Sequence, residues 1–91
     1  MLTSIGLGGD GDEVDAIERV EAAFGMHFDH ADCEAFVTVG DVWRSLLRAL
    51  GLDETSAEAE AAWPNLVWAL GEETLDEHQF QEIGLETRLI G

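Results

Sequence analysis

The chain has 91 residues, 46% of them hydrophobic, and a formal net charge of −16. That length fits one small domain with a modest core. With Arg19, Arg44, Arg48 and Arg88 as its basic residues and no lysine, it has too few cations to displace phosphate counterions, which excludes nucleic acid and anionic membrane surfaces as partners.

In chain order, Gly6 to Gly11 is a glycine-rich loop, and Asp10 with Glu13 reads as an acidic capping box. Val14, Ile17, Val20 and Phe24 then recur at helical spacing, which predicts a helix over 12–24 ended by Gly25. Met26 to Phe28 is an apolar connection. Asp29 or His30 opens a turn or two of helix that ends near Phe36. Thr38, with Asp41 three positions on, caps the clearest helix. Its face is Val39, Val42, Trp43, Leu46, Leu47 and Leu50, and Gly51 ends it.

Residues 52–62 read as a connector with high helix propensity, in which Thr55 and Glu58 form another capping box. Pro64 cannot donate a backbone hydrogen bond and would clash with the carbonyl of Glu60, so a kink or a break is expected there. Pro64 then opens a further helical piece whose buried stripe is Trp63, Leu66, Val67 and Leu70. A turn or short helix follows from Asp76, and then an extended apolar tail with Leu85, Leu89 and Ile90. No strand is signalled, so the expected class is all-α, as one domain over 1–91.

Cys33 is the single cysteine and has no internal disulfide partner. Met1 to Gly6 carries no basic region followed by an apolar run, and no stretch is long enough to span a bilayer, so a cytoplasmic protein is expected.

Three stretches carry a family resemblance. Val20-Glu21-Ala22-Ala23-Phe24-Gly25-Met26-His27-Phe28 resembles the end of the second helix of acyl carrier proteins. Glu34-Ala35-Phe36-Val37-Thr38-Val39-Gly40-Asp41-Val42 resembles their junction between third and fourth helices. Leu66 to Leu75 and Glu86-Thr87-Arg88-Leu89-Ile90-Gly91 resemble the first helix and its loop. The order is second, third, fourth, first, so the resemblance implies a circularly permuted four-helix bundle. In it, 1–51 matches the family's second to fourth helices and 63–91 the first helix and loop. Closing the old ends through 52–62 would cost little. Thr3-Ser4-Ile5-Gly6 and Thr87-Arg88-Leu89-Ile90-Gly91 look like one loop segment present twice.

The family carries phosphopantetheine on a serine at the start of its second helix. Here that position is Asp10 or Gly11, and neither has a hydroxyl. No cofactor is therefore expected, and no enzymatic activity. The carboxylates of Asp10, Asp12 and Glu13 read first as helix-start charges and second as a surface that a partner could use. The resemblance implies a basic protein partner of the fatty-acid or polyketide enzyme type. It places the recognition face along Asp12, Glu13, Asp15, Glu18 and Glu21.

Two alternatives remain. One is a carrier that holds a lipid or acyl chain noncovalently between its helices. The other is a small metal-binding protein that uses His27, His30 and Cys33, spaced three apart. Asp10-Gly11-Asp12 resembles the start of a calcium loop, but Val14 and Asp15 stand where a ligand and a glycine belong. Trp43 and Trp63 read as packing residues, and Trp68 lies off the main stripe.

Overall fold

The computed structural model describes residues 1–8 and 11–90. Five helices account for most of the described chain: α1 (Asp12–Phe24), α2 (His30–Glu34), α3 (Val39–Leu50), α4 (Ala57–Gly71) and α5 (Glu77–Phe80). Two short strands bracket them, β1 (Ser4–Leu7) and β2 (Arg88–Ile90).

The helix ends follow local chemistry. The Thr38 hydroxyl accepts from the N–H of Asp41, whose carboxylate accepts in return from the Thr38 N–H. This box opens α3 as expected. Gly25 and Gly51 end α1 and α3 with φ of 64° and 68°, a conformation that costs glycine little. At the start of α1 the cap position is Gly11 and no side chain bonds to it; the expected cap Asp10 lies outside the described residues.

Three expectations are corrected. The connector over 52–62 ends early, because Ser56, not Thr55, caps α4 by accepting from the Ala59 N–H at 3.1 Å. Thr55 is occupied in a turn, where its hydroxyl donates to Asp53. The boundary drawn between 62 and 63 thus falls inside α4. Of the kink or break expected at Pro64, the break does not occur, and α4 runs on through it. Pro64 is exposed, while Ala62, Leu66, Val67 and Leu70 on either side are buried, and this packing holds α4 together across the missing donor.

The third correction is the pair of strands. β1 and β2 run parallel, with Ser4 opposite Arg88 and Leu7 opposite Ile90. β1 spends one more residue than β2 between those pairs, and Gly6, at φ 79°, takes up the bulge. β2 also pairs on its other side. The Leu89 N–H donates to Val37 at 2.9 Å and the Val39 N–H to Thr87 at 2.8 Å. Strands this short carry no readable alternation, which is why sequence patterning misses them. Of the expected apolar tail only Leu89 is buried, and Leu85 and Ile90 are exposed.

The core runs through every layer. Ile5, Val20, Val39, Val42, Leu46, Leu66 and Leu70 are almost completely buried. α4 is the central element: it packs on α1, and on α3 where Trp63 meets Trp43 edge to face at 5.2 Å. Trp63 itself is half-buried. Arg19 fastens the end of α4 to α1. Its Nε donates to the carbonyl of Ala69 at 2.9 Å, and its head sits 3.3 Å from Glu72 and 3.4 Å from Glu73. A guanidinium there satisfies carbonyls that a helix C-terminus otherwise leaves open.

Candidate functional site

The site is a cleft on α1. Its walls are α1, α2 and the β2 strand with the segment that leads into α3. The deeper part encloses about 220 Å³ between Glu13 and Ile17 of α1, Cys33 of α2, and Phe36, Val37, Arg88, Leu89 and Ile90. A shallower groove of about 400 Å³ shares Glu13, Ile17 and Cys33 and continues past Val14, Glu18, Glu21, His30 and Glu34. Phe28 and Phe36 brace the α2 side, edge to face at 5.2 Å. The floor is apolar and the rim is acidic. Val37 and Ile90, which line the deeper part, and Val14, which lines the groove, are exposed to 56%, 46% and 52%.

The five carboxylates expected to form a partner face separate into two kinds. Asp15 and Glu18 are exposed, as is Asp12, which also accepts from the Gly8 N–H at 3.2 Å. Glu21 is used internally: its Oε2 accepts from the Phe28 N–H at 2.7 Å and fixes the exit from α1. Glu13 is half-buried, and its Oε2 is shielded from solvent with no hydrogen-bond partner among the described residues. Glu13 is thus more covered than Asp12, Asp15 and Glu18. The helical repeat puts it beside Ile17 and Val20, and α2 and β2 close over that side.

His27, His30 and Cys33 do not converge. His27 Nδ1 lies 3.6 Å from Glu21 and His30 Nε2 lies 3.0 Å from Glu34, each nearly fully exposed. Among the described residues no group of three His, Cys, Asp or Glu side chains is placed to hold a metal ion. α2 begins only at His30, so the three residues do not share one helix face. Burial pushes the Cys33 thiol above its ordinary value, and the charges of Glu21, Asp32 and Asp29 push it further. It is a poor nucleophile for that reason.

Of the two positions that the resemblance aligns with a serine, Asp10 lies outside the described residues. Gly11 stands at the α1 cap, and Ser4 sits in β1, where its Oγ accepts from the Gly6 N–H. Trp68 is exposed on the far side of α4 and lies against Phe80 at 5.1 Å, away from the cleft. Among the described residues no helix is long and apolar enough to cross a membrane. Compared with known families, characterised proteins and solved structures, the chain matches none.

Proposed function

We propose that this chain is a non-enzymatic, acyl-carrier-like interaction module that cannot bear phosphopantetheine and presents α1 to a basic protein surface. The observation that carries this reading is the pairing of exposed Asp15 and Glu18 with an apolar cleft on the same helix, in a chain of net charge −16. Charge of that size steers a basic partner toward the protein, and the cleft gives the encounter a place to become specific.

The permuted arrangement belongs to the same proposal. If 87–91 and 3–6 descend from one loop, both copies should lead toward the start of α1. The parallel pairing of β1 with β2, and the shared burial of Ile5 and Leu89, support that descent. The packing of α4 on α1 supports the assignment of these two as the family's first and second helices.

Two experiments test the reading. Co-expression with a broad-specificity phosphopantetheinyl transferase should leave the intact mass unchanged, and a gain of the prosthetic arm would overturn the claim. Replacing Asp15 and Glu18 by lysine should weaken partner capture at low salt while the melting temperature stays nearly constant, because both side chains are exposed. The apolar floor of the cleft favours one second reading, a noncovalent acyl carrier. Native mass spectrometry of the purified protein would reveal a retained fatty chain.

A further inference from the structure

Trp68 is the aromatic side chain that the fold leaves most open. It is 56% exposed, on the side of α4 turned away from α1, and the ring of Phe80 in α5 lies beside it at 5.1 Å. Ala57, Ala61, Pro64 and Asn65 continue this face toward the start of the helix, and all four are exposed. From Ala61 to Gly71 the helix holds no charged residue on any side, in a chain of net charge −16. A helix that is uncharged all round is ordinarily covered all round.

The chemistry around this face is one-sided. Glu58 and Glu60 flank it in the first turns, and Glu72 and Glu77 lie beyond Trp68, all of them exposed. α4 and α5 contain no lysine or arginine, and their one basic side chain is His78. Arg19 reaches Glu72 from α1 at 3.3 Å, but its own side chain is only 18% exposed. Pro64 has no N–H, so the carbonyl of Glu60 lacks the donor that a helix supplies four residues on. An open indole face, a carbonyl short of a donor and a rim of carboxylates all attract cations that carry N–H groups. A second copy of the chain would bring like charges together across the contact, and a basic partner would not.

We propose that this outer face of α4 is a docking surface for a basic amphipathic helix of a partner protein. The apolar side of that helix lies on Trp68 and Pro64, and its lysines or arginines reach Glu58, Glu60, Glu72 and Glu77. The small side chains of Ala57 and Ala61 let the partner's backbone come close, and the tryptophan is the anchor. This face is separate from the one proposed on α1, because α4 itself stands between them. A chain that uses both joins two basic partners.

The test is titration of the isotope-labelled protein with a short amphipathic helical peptide of leucine and lysine, followed through amide and indole signals. One control peptide carries glutamate in place of lysine, the other serine in place of leucine. The leucine–lysine peptide should move the Trp68 indole signal together with the amides of Asn65, Glu72 and Phe80. Trp68→Ala should weaken binding at this face at least about tenfold, as truncation of an aromatic anchor does. Lysine at both Asp15 and Glu18 should change it less than about threefold at physiological salt, which screens distant charges. The unsubstituted protein gives the indole readout by itself, whatever the variants do to folding.

A silent Trp68 indole while Asp15 and Glu18 respond would overturn this face and leave the α1 face standing. Movement at Trp68 with silence along α1 would do the reverse. No response anywhere at low salt would overturn both. Equal affinity for either control peptide would overturn the basic amphipathic partner, and a Trp68 signal that shifts on diluting the protein alone would assign the face to a second copy instead.

Discussion

Asp41 shows how much one side chain does at a helix start. Burial pulls its carboxyl toward higher values. Hydrogen bonds from the N–H groups of Thr38 and Val37 and from Arg44 outweigh that and hold it below the ordinary aspartate range. The folded carboxyl releases its proton more readily than the unfolded one. Its stabilisation is therefore complete above the ordinary aspartate range and is lost as pH falls through the lower folded value. Asp41→Ala should cost about 1 kcal/mol at neutral pH, the usual loss of a capping group. In chemical denaturation the gap between parent and variant should close in strong acid, and a gap independent of pH would contradict this assignment. Gly40, next to it, is fixed by space. A Cβ there would sit 2.7 Å from the backbone oxygen of Leu85, while the Gly40 N–H donates to that same oxygen at 2.8 Å. Alanine normally gains about 1 kcal/mol over glycine within a helix. Here the backbone cannot yield cheaply, so Gly40→Ala should lower stability by about 1–3 kcal/mol, the range for overpacking. A higher melting temperature would show that the loop around Leu85 relaxes freely.

Among the elements, α4 depends most on a contact that spacing cannot reveal. Its last carbonyls meet Arg19, which is distant in sequence and only 18% exposed at its side chain. Arg19→Met keeps much of the apolar stem and removes the charged donors. It should cost about 2 kcal/mol, as expected for hydrogen bonds to a charged group, and hydrogen exchange should quicken in the last turn of α4 first. Unchanged protection at Ala69 to Gly71 would assign Arg19 to the surface alone. What the sequence made legible were the features decided by near neighbours. The box of Thr38 and Asp41, the glycines that end α1 and α3, and the span of α1 each depend on residues within a few positions. The strands depend instead on Thr3 meeting Arg88 and on Thr87 meeting both Leu2 and Val39. The seating of Glu13 was hidden for the same reason: a carboxylate in a first helical turn reads as solvated until α2 and β2 are known to cover it. At Pro64 the local rule and the tertiary context disagree, and burial on both sides of the proline prevails.

For the molecule as a whole, charge works against compactness. A net −16 on 91 residues repels itself in the folded state more than in the expanded chain. Salt should therefore raise the melting temperature, by roughly 5 °C for each kcal/mol of repulsion screened in a domain of this size. A fall on adding sodium chloride would mean that pairs such as Arg19 with Glu72 outweigh the general repulsion. The parallel pairing of β1 and β2 carries a mechanical consequence. A force drawn backward from Ser4 and forward from Ile90 pulls the two strands along their length in opposite directions. Their hydrogen bonds lie across that pull and share the load in shear, instead of opening one after another as a hairpin does. Tethered between two neighbours, the domain would yield in one abrupt step at its terminal strands, and its helices would come apart only afterwards.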